Sequence, residues 1–370
     1  MRIPAIPIIL YFCFLPGALT RGQTWNNDFG DSLYIPDNPD SYVSCLLHDE
    51  NNLIVAGPIL KAGELWINGI TVWNGTNWAN LGAGLTHFAG GINCMVKYND
   101  KLVIGGGFLE AGNTPGTRRL AVWDGSNWSG IGEPSSVVED FTILHDTLIV
   151  SGGFSSIDGT ALVGIAAYYN NEWINIGTPD WGVPEVCVYN DELYIGGNFT
   201  SINSQYLPHI ARREGQSWTS VGGGLNGVVE GMVVDTVENV LYVGGGFTRA
   251  YNDSDTVIVR NLAMWDGENW HDVGGGVECC PYSKGLALYR GDLYVGGSLE
   301  DAGGMPVNYI ARWDGGQWDS LGCGTDNTIN ALAVYNDELY VGGFFNYAGG
   351  KRAYGIARWF MPPDTGCAWL

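Results

Sequence analysis

Hydrophobic and polar positions along this chain alternate in short runs that end in glycine. The clearest runs are LVIGGGF, LYIGGNF, LYVGGGF and LYVGGFF. Apolar runs of this length between turn signals predict β-strands. The run recurs about every 48 residues, at Leu53, Leu102, Leu148, Leu193, Leu241, Leu293 and Leu339. A regular period of that size indicates a repeat protein built from stacked supersecondary units.

Each repeat has the internal pattern of four short strands. Glycine stands four residues after the leucine, and a large hydrophobe stands two residues later, as at Gly106 and Phe108. An aromatic residue then leads through Asn-Gly or Asp-Gly to a Trp, as in the pair Trp123 and Trp128. Asp-Gly between two hydrophobic runs predicts a hairpin. A glycine-rich turn, a further apolar run and a tight Tyr-Asn-Asp turn complete the unit.

Seven such units predict an all-β fold, a seven-bladed β-propeller with four-stranded blades. Radial repetition protects the strand edges in this architecture, and an open solenoid is the alternative. The last unit ends after its third strand, at residues 355–360, while a Trp-led segment at residues 25–29 precedes the first unit. We therefore expect an N-terminal strand to close the ring, with Trp369 as the rival candidate.

The same residues resemble a known repeat. A diglycine, followed by an aromatic residue and a Trp around a hairpin, resembles the kelch-type repeat of kelch and galactose-oxidase-like propellers. The longer phrase in residues 296–324 is more similar to repeats of fungal cortical cell-polarity markers and of secreted bacterial repeat proteins, with Leu299 in the Phe position. The resemblance covers about residues 41–359. It implies a propeller and little about activity. The copper-binding Tyr and His residues of the oxidases have no residue-by-residue match here, so it implies neither an oxidase nor a cofactor.

The N-terminal sequence and the net charge indicate where the protein is located and which partners it excludes. Residues 1–22 combine Arg2, an apolar stretch from Ile3 to Leu15 and small residues. This pattern predicts a secretory signal peptide, which leaves residues 23–370 as the propeller. The apolar stretch is too short for a transmembrane segment. The net charge of −22 argues against nucleic acid and anionic membranes as partners. We expect a secreted or extracytoplasmic monomer, at a cell surface or in a periplasm.

Cysteines and histidines predict no catalytic residue and no metal site. Cys45 and Cys94 occupy equivalent positions in adjacent units, where packing as small buried residues is favoured over a disulfide. Cys280 and Cys323 lie on loops between neighbouring blades and form the candidate disulfide pair, with Cys279 as the alternative partner of Cys323. The cysteines lack zinc-site spacing, and the five histidines are scattered without a catalytic motif.

Length variation among the repeats falls on one side of the expected ring. The turns between first and second strands and between third and fourth strands are uniformly tight. Variation is confined to the opposite face, and loops of variable length on a rigid scaffold are typical of binding surfaces. The variable segments are residues 58–66, 109–117, 155–163, 200–208, 248–259, 300–307 and 277–284.

Candidate binding residues on that face are aromatics outside the repeat pattern. Aromatic side chains stack on sugar rings or anchor peptides, whereas packing against the blade tops is the alternative interpretation. Asp253 and Asp255 are candidate ligands for a cation, although calcium takes six to eight oxygens. The aromatic candidates are Trp66, Phe88, Trp181, Tyr206, Tyr251 and Tyr282.

Two functions follow from this sequence. The first is an exported, non-enzymatic binding or scaffold protein that recognises a glycan or a protein through its loop-rich face. The alternative is a propeller hydrolase or lyase, which needs acidic residues that converge at the central channel. The candidates for that role are Glu139, Asp140, Glu185 and Glu230.

Overall fold

The computed structural model describes residues 24–26, 42–86, 91–278 and 281–360. All regular elements in these residues are β-strands. The described part of the chain has no helix long and apolar enough to cross a membrane.

Four strands, which we call a, b, c and d in chain order, form the core of a unit. We number the units 1 to 7 by their leucine anchors. The a strands are Cys45–Asp49, Ile92–Tyr98, Val138–Leu144, Glu185–Tyr189, Val228–Asp235, Pro281–Tyr289 and Ile329–Tyr335. The b strands are Asn52–Ala56, Lys101–Gly106, Thr147–Gly152, Glu192–Gly196, Val240–Gly246, Asp292–Gly297 and Glu338–Gly343. The c strands are Ile70–Trp73, Leu120–Trp123, Ile165–Tyr169, Ile210–Glu214, Leu262–Trp265, Ile310–Trp313 and Ile356–Phe360. The d strands of units 1 to 6 are Trp78–Asn80, Trp128–Ser129, Glu172–Asn175, Ser217–Ser220, Trp270–Asp272 and Trp318–Ser320.

The strands of a unit pair antiparallel in the order a-b-c-d, so the expectation of four-stranded antiparallel sheets is confirmed. Units 1 to 5 form separate sheets, and units 6 and 7 join through one parallel pairing of Lys284 with Ala331. At the edge of that joined sheet, Thr24–Asn26 pairs antiparallel with Ile356–Phe360. The arrangement fits a β-propeller.

The diglycine of the b strand permits close contact with the chain that enters the a strand. A Cβ atom on Gly106 would lie 2.2 Å from the Gly91 carbonyl oxygen, and one on Gly343 would lie 2.2 Å from that of Thr328. No other residue fits at such a contact. The hydrophobe two positions later, such as Phe108, is fully buried.

Hydrophobic contacts lie between successive units. Ile54 of unit 1 and Phe108 of unit 2 share one cluster. Leu53 of unit 1 and Tyr335 of unit 7 share another, so the last unit packs on the first. The Tyr335 hydroxyl also donates to the Asn51 carbonyl at 2.7 Å, across the same junction.

The Trp residues of the d strands join neighbouring units by a repeated hydrogen bond. In units 2 to 6, and at Trp25, the indole N–H donates to a carbonyl that follows the d strand of the preceding unit, at 2.8 to 3.3 Å. Trp128 and Trp318 are 5% and 8% exposed, as expected for inter-blade contacts. The donor and acceptor pairs are Trp128 and Leu81, Trp173 and Ile131, Trp218 and Ile176, Trp270 and Val221, Trp318 and Val273, and Trp25 and Leu321.

The variable segments between b and c strands contain short strand pairs, which we call the hairpins. In unit 2, Glu110–Ala111 pairs instead with Leu85–Thr86, and in unit 5 Gly224–Leu225 adds a third strand. The hairpins are Lys61–Ala62 with Leu65–Trp66, Ser156–Ile157 with Thr160–Ala161, Ser201–Ile202 with Gln205–Tyr206, Arg249–Tyr251 with Thr256–Ile258, Asp301–Ala302 with Met305–Pro306, and Tyr347–Ala348 with Lys351–Arg352.

Candidate functional site

The hairpins are held rigidly at their bases. After each hairpin, a residue with a left-handed backbone donates its N–H to the buried hydrophobe that precedes the hairpin. Gly164 donates to the Phe154 carbonyl at 2.8 Å, and His209 donates to that of Phe199 at 3.0 Å. His209 has φ +65°, a conformation that glycine adopts without strain at the equivalent Gly164. The hairpins therefore project from the sheets in fixed positions. We call the surface that they form together the hairpin face.

The connections between units also hold the hairpins in place by hydrogen bonds. The Asp180 carboxylate accepts the backbone N–H groups of Thr200 and Ser201 at 2.8 and 3.0 Å, together with the Thr200 hydroxyl at 2.7 Å. Desolvation is the largest single contribution and raises the pKa of Asp180, but the hydrogen bonds from Thr200 and Ser201 together outweigh it and lower the pKa to about 2. Asn226 accepts the equivalent N–H groups of unit 5, both at 2.8 Å.

One position on the hairpins is exposed and changes chemistry from unit to unit. It lies in the second strand, opposite the first residue of the first strand. The fold places these side chains at equivalent points but does not specify their chemistry. They are Trp66, Ala161, Tyr206, Ile258, Pro306 and Arg352, all exposed.

The three exposed aromatics among the predicted binding residues are divided between two regions of this face. Trp66, 64% exposed, lies on the hairpin of unit 1, whereas Tyr206, 74% exposed, lies on that of unit 4. Trp181, 65% exposed, follows Asp180, whose N–H donates to the Ser201 carbonyl at 3.0 Å, so it lies beside the unit 4 hairpin. Two units separate Trp66 from this pair, so these aromatics do not share one platform. Phe88 and the Tyr282 side chain lie outside the described residues.

The fifth hairpin holds the remaining candidates. Tyr251 is half-buried, and Asp253 and Asp255 are exposed at the tip. Asp255 accepts the Asn252 side-chain amide at 2.8 Å, so its carboxylate closes the turn. In the described residues, no group of three or more His, Cys, Asp and Glu side chains is arranged to hold a metal ion.

At the inner strands, two of the four candidate acids meet at a lysine. Lys284 of unit 6 bonds the Asp140 carboxylate of unit 3, and its Nζ lies 3.7 Å from the Glu185 Oε1 of unit 4. The other Asp140 oxygen accepts the Val186 N–H at 3.0 Å. The Asp140 and Glu185 side chains are 8% and 2% exposed. We call these three residues the ion cluster.

The ion cluster sets one ammonium against two carboxylates, so Lys284 compensates one of the two negative charges. Burial alone would lower the pKa of Lys284, but Asp140 and Glu185 outweigh burial and raise it above its usual value. Glu139 is directed elsewhere, because it accepts the Asn93 amide at 2.8 Å. Burial raises the pKa of Glu139, and the Asn93 hydrogen bond opposes the rise. Lys284 belongs to no repeat pattern, so sequence reasoning missed its role.

Cysteine thiols lie close to the ion cluster. Cys45 and Cys94 are buried free thiols, as expected for small packing residues. Burial raises the pKa of Cys45 to about 12 and raises those of Cys94 and Cys187 as well. Cys280 lies outside the described residues, so its pairing with Cys323 stays a prediction.

Comparisons with known proteins identify the fold alone. No protein-family model matches the chain, and no curated protein matches it either. The crystal structure of the computationally designed Ika8 protein is similar over 90% of this chain and 100% of that chain, with a TM-score of 0.51 and 11% identity. A chain in a crystal structure of the mitotic checkpoint complex is similar over 97% of this chain and 98% of that one, with a TM-score of 0.53 and 14% identity.

Proposed function

We propose that the protein is an exported, non-enzymatic β-propeller that recognises a glycan or a protein through its hairpin face. The β-propeller fold suits a binding or scaffold role, since loops on a rigid scaffold commonly carry recognition. Export is proposed from the signal-peptide pattern of residues 1–22.

The proposed ring has seven kelch-like blades, and Thr24–Asn26 completes the seventh. Cyclic packing supports this count, because unit 7 shares a hydrophobic cluster with unit 1. Closure is supported by the register of the N-terminal strand, in which Trp25 lies opposite Trp359. The Trp25 indole also donates to the Leu321 carbonyl at 2.9 Å, the same bond that the d-strand Trp residues make elsewhere.

The observation that carries the binding proposal is the exposed hairpin position. A side chain needed only for folding would be of one type in every unit, as the buried hydrophobe and the glycines of the b strand are. The hairpin position instead presents an indole, a phenol, an aliphatic chain and a guanidinium at Trp66, Tyr206, Ile258 and Arg352. Because these different side chains stand at equivalent points of the hairpins, they give the hairpin face a surface chemistry that differs from unit to unit.

On the face opposite the hairpins, the recurring turn chemistry of the repeat serves to form the tight turns between strands. Asp124, Asp266 and Asp314 each accept two backbone N–H groups of their own turns at 2.7 to 2.9 Å. These acids therefore have a structural role in every unit where they occur. The hydrolase or lyase alternative has less support, because the two acids that converge, Asp140 and Glu185, are both paired with the Lys284 ammonium.

The purified protein is first screened on glycan and protein arrays. Binding of any array ligand is then measured for a variant in which residues 248–259 are shortened to the length of the unit 4 hairpin. Loop shortening has a small entropic effect on folding. The variant also loses the 2.7 Å hydrogen bond that the Trp270 backbone N–H donates to the Asn252 side-chain oxygen, worth about 1 kcal/mol. We expect a folded variant with binding to the array ligand reduced at least tenfold.

The matched control changes the opposite face without disturbing its turns. Asp100 and Asp191 have φ of +59°, so Asp100→Gly and Asp191→Gly preserve the hairpin geometry. Both should leave affinity unchanged. If the shortened hairpin binds normally and the turn variants do not, the binding face is the wrong one.

A further inference from the structure

A small cleft opens beside Trp66, between the unit 1 hairpin and the chain that leaves the d strand of the same unit. Its volume is about 90 Å³, and its lining includes Trp66, Asn68, Asn80 and residues 81–84. A single bound water needs roughly 10–15 Å³ of such space, so the cleft has room for several waters. The cleft can therefore hold one edge of a small ring, and the rest of a ligand would remain in solvent.

The cleft is rigid before any ligand binds. The Asn68 side-chain amide donates to the Ala83 carbonyl at 2.8 Å, and the Asn68 carbonyl accepts the Leu85 N–H at 2.7 Å. Gly82 packs so closely on the next unit that a Cβ there would lie 2.9 Å from the Trp123 ring. Because these groups are already ordered, binding would cost little further conformational entropy.

Trp66 supplies an aromatic wall with a fixed position. The Lys61 ammonium lies 5.3 Å from the indole ring centroid, a cation–π contact that holds the ring. Lys61 is itself 3.7 Å from Glu64, so its charge is partly compensated. The indole nevertheless stays 64% exposed. An exposed large aromatic that borders a cleft is available to a ligand.

The chemistry of the lining favours a carbohydrate over a peptide anchor. Beyond the indole, the cleft offers side-chain amides at Asn68 and Asn80 and backbone groups of residues 81–84, with no ionisable side chain. Amides and carbonyls donate to and accept from sugar hydroxyls, while the C–H face of a sugar ring packs on an aromatic ring. A peptide hot spot would instead need a deeper, desolvated apolar pocket.

We infer that this cleft binds a single uncharged sugar residue of a glycan, stacked against Trp66 and hydrogen-bonded by Asn68 and Asn80. The inference rests on the proposed function and names the ligand class of one part of the hairpin face. Ala161 and Pro306 occupy the position of Trp66 in units 3 and 6, so the equivalent places there lack the aromatic wall.

The test is saturation-transfer NMR of the full protein with the methyl β-glycosides of glucose, galactose and N-acetylglucosamine. At least one should receive saturation through its ring C–H protons. Trp66→Ala should weaken that binding about tenfold or more, which corresponds to about 1.4 kcal/mol, whereas Trp66→Phe should retain part of it. Asn80→Ala should weaken binding with less effect than Trp66→Ala.

Trp181→Ala is the matched control, since Trp181 is equally exposed but lies beside the unit 4 hairpin. It should leave the sugar signal unchanged. No saturation transfer to any of the three sugars, or equal losses in the Trp66 and Trp181 variants, would overturn the inference. If an array ligand depends on residues 248–259 but not on Trp66, the cleft assignment fails while the binding face stands. If Trp66 governs sugar binding but shortening residues 248–259 affects no array ligand, the binding face stands and the role given to the unit 5 hairpin fails. If every array ligand depends on the tight turns of the opposite face and no sugar depends on Trp66, the wider proposal fails as well.

Discussion

Lys284 places one positive charge between two buried carboxylates, so its removal is a severe perturbation. At an effective dielectric constant of about 20, unit charges 3.7 Å apart, as for Lys284 and Glu185, interact by about 4 kcal/mol before desolvation is counted. Removing one partner of a buried ion pair costs about 3–5 kcal/mol in folding stability. Since Lys284 is a quarter exposed, we expect Lys284→Met to destabilise the protein by about 3 kcal/mol.

The assay is urea unfolding, with the midpoint and the slope fitted together. Lys101→Met is the control, because Lys101 is the exposed first residue of the unit 2 b strand, beside a tight turn. Its loss should change stability by at most about 0.5 kcal/mol. Without Lys284, one of the two carboxyl groups should take up a proton more readily on folding. The loss of stability should therefore be smaller at pH 5 than at pH 8.

A compensated variant makes the test specific. Neutralising all three charges, as Lys284→Met with Asp140→Asn and Glu185→Gln, should recover most of the lost stability because no buried charge is left unpaired. Equal stability losses for Lys284→Met and Lys101→Met would show that Lys284 does not stabilise the buried carboxylates, as would a triple variant less stable than Lys284→Met.

Three further predictions concern single contacts. Trp128→Ala should destabilise the fold by about 3–5 kcal/mol without a specific change in ligand affinity, measured by thermal melting and a binding assay; normal melting with lost binding would place Trp128 in the site. Cys45 and Cys94 should resist iodoacetamide at pH 8 in the folded protein, since burial keeps both thiols protonated, and peptide mass mapping would contradict this by finding rapid labelling or a disulfide between them. The Asp180 carboxyl should titrate near pH 2 by NMR; because its pKa is lowered by folding, it stabilises the fold above pH 4 and this contribution is lost as the pH falls toward 2, whereas titration near pH 4 would mean that the hydrogen bonds from Thr200 and Ser201 are absent in solution.

Much of the unit could be predicted from sequence because its determinants are local. The apolar run before Gly106, the Asp-Gly turn after Trp123 and the tight Asn-Asp turns each act within a few residues. Asn99 and Asp100 both have positive φ, the backbone that a two-residue hairpin turn requires. The inter-unit Trp contacts were also predictable, because Trp128 recurs at one place in the period and large aromatics at such places are buried.

The ion cluster and the cleft were not predictable in the same way. Lys284 and Asp140 are 144 residues apart, and nothing local to either residue specifies the other. The cleft depends on Asn68 and the chain after Asn80, which look like ordinary turn residues. The sequence pattern identifies Trp66 as an aromatic outside the repeat, but its rigid surroundings depend on the packing of the unit 1 hairpin beside Gly82.

Hydrogen exchange tests most directly whether a ligand binds the hairpin face. It is read by mass spectrometry on the protein with and without a ligand identified on the array. Binding through the hairpin face predicts slowed exchange in one or more of the segments 61–66, 201–206 and 249–258. Exchange in the tight turns at residues 98–101 and 189–192 should not change. Protection confined to those turns, with the hairpins unaffected, would contradict binding through the hairpin face.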